Sequence, residues 1–175
     1  MQRRTLLKGG TALFAMTIAG GSETRARPAA VLPDDARFMQ LAIDEAAKAD
    51  FPFGTVIVKE GQVLATGRNR GRVDHDPTAH GEMVAIHAFL AAHGPEALKG
   101  TTLYTSGEPC PMCMGGIIWC HIPRLVYAAS IAQLATKIGQ IDITSQQIAN
   151  ATPFADIEIA GGLLSGNSLR LFEKG

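Results

Sequence analysis

Four residues in this 175-residue chain have the types and spacing for metal-assisted hydrolysis: His80, Glu82, Cys110 and Cys113. They fall in two fragments, Thr78-Ala79-His80-Gly81-Glu82 and Glu108-Pro109-Cys110-Pro111-Met112-Cys113. A catalytic zinc keeps three protein ligands and leaves a fourth position for water. One histidine and two cysteines supply the three. Cysteines spaced by two residues at a helix start can point at one ion, and the helix dipole favours their thiolates. His80 and Glu82 stand two apart, so one can ligate while the other faces the water. Zinc lowers the pKa of bound water to about 7. The activated water can then attack an electrophilic carbon, with Glu82 taking and returning its proton.

A lone C-x-x-C also occurs in redox pairs and in half of a structural zinc site. A structural site would offer four protein ligands. The third cysteine, Cys120, lies seven residues after Cys113, about 10 Å further along a helix. It reads as a small buried residue. His75, His87, His93 and His121 have no partners at ligand spacing and read as surface or packing residues.

Composition excludes several classes. Three clustered cysteines do not make a disulfide framework. The formal net charge is zero, but residues 1–27 hold five basic residues against Glu23. The remaining chain carries 11 basic and 15 acidic residues, a balance of −4, which does not suit a phosphate backbone. No nucleic-acid partner is expected.

The first thirty residues read as a leader and linker, and 31–175 as one domain. Arg3-Arg4, Leu6-Leu7-Lys8 and the apolar stretch Gly9 to Gly21 resemble a twin-arginine export signal. The stretch is too short to span a bilayer comfortably, so no stable membrane span is expected. Cleavage would fall after Gly21 or among Pro28-Ala29-Ala30. A periplasmic address follows, with a cytoplasmic one as the alternative if the basic start is not a signal. Zinc loaded before export would protect both thiolates from oxidation.

Periodicity gives the elements that must position the four residues. Residues 34–49 read as a helix with Asp34 and Asp35 at its start. Thr55 to Val58 and Gln62 to Thr66 form a hairpin around Glu60-Gly61. Gly67 to Pro77 is a polar loop, and Thr78 to Ala92 a helix. Thr102 to Thr105 is a strand; a helix runs from Pro111 to about Cys120, since proline suits a first turn. Leu125 to Ala128 is a strand, 131–138 a weak helix, Ile157 to Ile159 a strand and Leu163 to Phe172 a helix. Helices alternating with strands after an opening hairpin imply a three-layer α/β/α sandwich around a mixed sheet.

An H-x-E followed by P-C-x-x-C marks zinc deaminases of nucleobases. From Phe53 to Ala128 the chain resembles the cytidine and deoxycytidylate deaminase superfamily, and within it the branch of guanine deaminases, fungal-type cytosine deaminase and tRNA adenosine deaminases. The motifs are Pro52-Phe53-Gly54, Asn69, Asp76 to Glu82 and Leu103 to Cys113. The resemblance implies a five-stranded mixed sheet, a homodimer, and base contacts from Asn69, Phe53 and Trp119. It implies hydrolysis of a free nucleobase, guanine to xanthine and ammonia in the first instance. Cytosine, a nucleoside or an aminotriazine is the alternative substrate; tRNA adenosine deamination and a non-catalytic zinc-binding role are further alternatives. Gly81 stands where alanine is commoner, Gly107 departs from the usual residue before Glu108, and the segment from Ile131 does not match the tail that closes guanine deaminases.

Overall fold

The computed structural model describes residues 26–154 and 156–173. The residues carrying the expected export signal lie outside that range. Among the described residues, no helix is long and apolar enough to cross a membrane.

A mixed sheet of six strands runs in the order β1-β6-β5-β4-β2-β3. Its centre is β2 (Gly54–Lys59), β4 (Thr102–Gly107) and β5 (Arg124–Ala129). The hairpin partner β3 (Gln62–Arg68) lies antiparallel to β2 across Glu60 and Gly61, both at positive φ. β4, β5 and β6 (Glu158–Gly161) are parallel. The sixth strand is β1 (Arg27–Pro28), parallel to β6 and inside the stretch that the sequence assigns to leader and linker. Two residues carry no periodicity, which is why the expected count was five.

Strand alternation divides the core in two. Ile57, Leu103, Leu125 and Ile159 stand in register across four strands and face α2 (Gly81–His93), α3 (Pro111–Trp119) and α5 (Ser145–Asn150). Val56, Tyr104, Val126 and Ala160 face the other way, onto Phe38, Met39, Ala42 and Ile43 of α1 (Asp35–Ala46). Leu163, Leu164 and Leu171, around α6 (Ser165–Leu169), complete that layer. The architecture is the expected three-layer α/β/α sandwich.

Two helix starts depart from expectation for local reasons. Asp34 stands at the N-cap of α1 without a side-chain cap bond. Asp35 is instead buried and takes hydrogen bonds from Arg124 to both oxygens (2.9 and 2.7 Å), from the Tyr104 hydroxyl (2.7 Å) and from the Leu32 N–H (2.7 Å). Helix α2 begins at Gly81 rather than Thr78 because Asp76 accepts from both the N–H and the hydroxyl of Thr78, which holds the chain in a turn. Gly67 lets that start approach the sheet: a Cβ there would lie 2.2 Å from the Gly81 carbonyl oxygen.

Candidate active site

Two helix starts meet at the C-terminal end of β4. His80 is the N-cap of α2, with φ −70° and ψ 155°. Cys110 is the N-cap of α3, also extended, with φ −64° and ψ 167°. Pro111 follows at the first helical position and leaves no N–H to satisfy. The carbonyls of His80 and Cys110 each accept the first helical bond at 2.9 Å, from Val84 and Met114. Because each cap residue sits just before its helix, its side chain is free of the helical grid. Nδ1 of His80 lies 3.5 Å from Cys113 Sγ and 3.7 Å from Cys110 Sγ.

Among the described residues, His80, Cys110 and Cys113 are the group able to share one ion, their donor atoms all within 4.8 Å of one another. A tetrahedral zinc would set nitrogen–sulfur separations of about 3.6 Å at ordinary bond lengths. One nitrogen and two sulfurs at that spacing fit zinc, and three ligands leave a position open.

The charges in this corner are coupled. Cys110 is pulled down to about 4, first by its hydrogen bond with Cys113 and against its burial, with His80 assisting. Cys113 is pushed up, by that same bond and then by burial, so it holds the shared proton. His80 is raised, chiefly by the Cys110 hydrogen bond. Glu82 is raised by burial, against bonds from its own backbone N–H and from Cys113; it is buried and lines the cavity. The Thr105 hydroxyl also donates to it at 3.3 Å and itself takes a bond of 3.3 Å from Thr55.

A cavity of about 390 Å³ opens onto these groups. It is lined by His80, Cys110 and Glu82, by the aromatic Phe51 and Phe53, and by the segment Ile138 to Ile141. Phe53 takes its place because residue 107 is glycine: a Cβ there would lie 2.6 Å from the Phe53 ring. The departure from the family pattern at Gly107 thus has a use, since it lets the ring lie against β4. Phe172 packs edge-on behind Phe53, 5.4 Å between centroids. Asn69 is buried at the cavity edge. Its Oδ1 accepts from Gly71 N–H at 3.0 Å, which directs the amide nitrogen away from its own turn.

The structure therefore brings His80, Glu82, Cys110, Cys113, Phe53 and Asn69 to one cavity and leaves Trp119 out. Trp119 is 72% exposed and stacks on Phe154 at 5.0 Å. It sits nine residues along α3 from Cys110, about 13 Å at helical rise, and off the buried face made by Met114, Ile117 and Ile118. Cys120 is a free thiol packed against the core, outside the metal-ligand group. His93 packs on Phe89 as a spacer, 4.9 Å between centroids.

Four contributions escaped the sequence reading. Phe51 is two residues from Phe53, a spacing that could have flagged a shared face. Thr105 is a fully buried hydroxyl in a central strand, another readable signal. Glu108 was visible only as part of a motif. Ile138 to Ile141 has no periodicity, and nothing local marks it as a wall.

Residues 32–129 match the family described as the cytidine and deoxycytidylate deaminase zinc-binding region. The chain belongs to that family, and the match covers His80, Glu82, Cys110, Cys113, Phe53 and Asn69. It is a deaminase by that membership. The guanine deaminase of Bacillus subtilis (strain 168) is 47% identical over 78 residues, spanning 45% of this chain and half the length of that protein. The tRNA-specific adenosine deaminase of Streptococcus pyogenes serotype M1 is 33% identical over 146 residues, 81% of this chain and 83% of that one. A solved structure from studies of A-to-I editing by tRNA:A34 deaminases superposes with a TM-score of 0.67 at 34% identity, covering 77% of this chain and 98% of that one.

Proposed function

We propose that this chain hydrolyses the exocyclic amine of a free nucleobase, with guanine the first candidate and xanthine plus ammonia the products. The observation that carries this reading is the lining of the cavity. Its reactive groups share it with aromatic side chains, Phe51 and Phe53, and aliphatic ones, Ile138 and Ile141. A flat ring can stack on the first and be covered by the second.

His80, Cys110 and Cys113 would hold zinc, which when bound supplies a water acidic enough to react near neutral pH. Glu82 accepts the proton of the attacking water and passes it to the ring nitrogen beside the reacting carbon. The oxygen–carbon bond forms, the carbon–amine bond breaks, and the amine leaves as ammonia after Glu82 delivers the second proton. Burial suits Glu82 to both directions, since a raised carboxyl pKa eases return of the proton. Thr105 orients its carboxylate. The amide nitrogen of Asn69 donates to an acceptor on the base, and Phe53 holds the ring plane.

A second reading is tRNA adenosine deamination. The long alignments with tRNA deaminases favour it. The acidic balance of residues 28–175 opposes it. Ammonia release from guanine, cytosine, nucleosides, an aminotriazine and tRNA decides between them. Turnover of guanine is the expected result. Deamination of tRNA with none of any free base would overturn the proposal.

A further inference from the structure

Glu108 has a carboxylate whose two oxygens reach opposite ends of one loop. Its Oε2 accepts from the N–H of Ile131 at 2.9 Å, at the start of α4 (Ile131–Leu134). Its Oε1 accepts from the N–H of Ser145 at 2.8 Å, at the start of α5. Between those amides runs the segment carrying the cavity wall, Ile138 to Ile141. The same residue is anchored behind, where its own N–H donates to the Ala129 carbonyl at 2.7 Å. It stands two residues before Cys110, and the Pro109 carbonyl also accepts from the Ser145 hydroxyl at 3.5 Å.

Resting on the reading of the cavity as a base site, we propose that Glu108 is a positioning residue: a two-ended clasp that ties the substrate wall 131–145 to the metal-binding loop. Each oxygen is engaged by a backbone donor, which fixes the orientation of the Glu108 carboxylate at the cavity. Elsewhere the wall is held by its own turns: Lys137 and Ile138 N–H both bond to the Leu134 carbonyl, and Ile143 N–H to Ile141. Its external polar ties run through Glu108, through the contact with Pro109 and through the exposed pair Lys137–Glu173. Buried, charge-assisted bonds outweigh exposed ones. The clasp therefore sets where the aliphatic wall stands over the ring.

The test uses the full zinc-loaded chain and three variants. Glu108→Gln turns one acceptor into a donor and breaks one end. Ser145→Pro removes the N–H that meets Oε1 together with the hydroxyl, whose share Ser145→Ala isolates. Proline is tolerated at this first helical position, and Thr144 before it is already extended at φ −72° and ψ 156°. Ser145→Ala keeps the N–H and loses the hydroxyl. Expected for the first two is faster hydrogen exchange at Lys137, Ile138 and Ile143, with Met114 and Cys120 of the α3 region unchanged and zinc content intact. KM for whichever base is turned over rises about tenfold, the loss of one charge-assisted bond, while kcat moves much less. Ser145→Ala matches the parent in exchange and KM. Parental exchange and KM in both folded variants overturns the clasp, as does uniform loosening of the whole chain. If Glu108→Gln does not fold, the proline variant decides alone, because it leaves the carboxylate in place. The exchange arm needs no substrate, so faster exchange without guanine turnover would sink only the guanine reading.

Discussion

Asp35 and Glu82 are two carboxylates almost equally shielded from solvent, 1% and 4% exposed, on opposite faces of one sheet. They are ionically opposite. Burial raises both, but at Asp35 the bonds from Arg124, Leu32 and Tyr104 outweigh it, and its pKa ends below the ordinary carboxylate value. At Glu82 burial is opposed by too little, and the pKa ends above. Asp35 is a finished structure with every oxygen engaged. Glu82 lines the cavity, and its bonds from its own backbone N–H, from Cys113 and from the Thr105 hydroxyl at 3.3 Å do not offset its burial. Asp35 has the fuller set of donors and Glu82 is the more deeply buried; together these separate a carboxylate that holds a fold from one that can carry a proton.

Exchanging the side chains' chemistry should break the pair apart in different assays. Glu82→Gln should lower turnover by about a thousandfold or more, the scale of a lost general acid–base group, with zinc content and thermal midpoint near the parent; undiminished turnover would sink the proton-shuttle assignment. Asp35→Asn should leave Arg124 buried and short of its counter-charge, at a cost of about 3–5 kcal/mol. Calorimetry should show the midpoint falling by roughly 10 °C, with kcat of the folded fraction unchanged. Thr105→Val removes only the hydroxyl that orients Glu82, and should lower kcat about tenfold, one hydrogen bond's worth, without moving KM. An effect confined to KM would show that Thr105 meets the substrate instead.

The smallest effect concerns acid. Asp35 has its folded-state pKa lowered, so its stabilisation is complete above the unfolded value, given as 3.8. It is lost as pH falls through the lower folded value. Urea unfolding of parent and Asp35→Asn should give a constant stability gap from neutral pH to about 5 and a shrinking gap below 4. A gap that widens on acidification would reverse the sign assigned to this carboxylate.

What could be read from the sequence was what is local. His80 with Glu82 and Cys110 with Cys113 each need one helix start, and proline and the motif spacing mark both. The α/β/α layering followed from β-branched runs alternating with apolar stripes. The cavity's second wall was not legible, because 138–141 owes its place to Glu108 thirty residues earlier rather than to any pattern of its own. Trp119 shows the converse error. The family resemblance placed it at the base, and in this chain it stands outside the cavity against Phe154. Asp35 was legible as a helix-start residue and not as half of a buried ion pair, since Arg124 lies 89 residues away.

The two-residue strand β1 bears on how this chain could be matured. Arg27 and Ala29 donate their N–H groups to the Ile157 and Ile159 carbonyls at 3.0 and 2.9 Å, and Ala26 is buried beside them. A peptidase cutting among Pro28, Ala29 and Ala30 would strip this cover and leave β6 as a bare sheet edge, a template for adding strands from other molecules. A cut before Ala26 would spare it. Retaining Arg27 and Ala29 keeps that edge guarded.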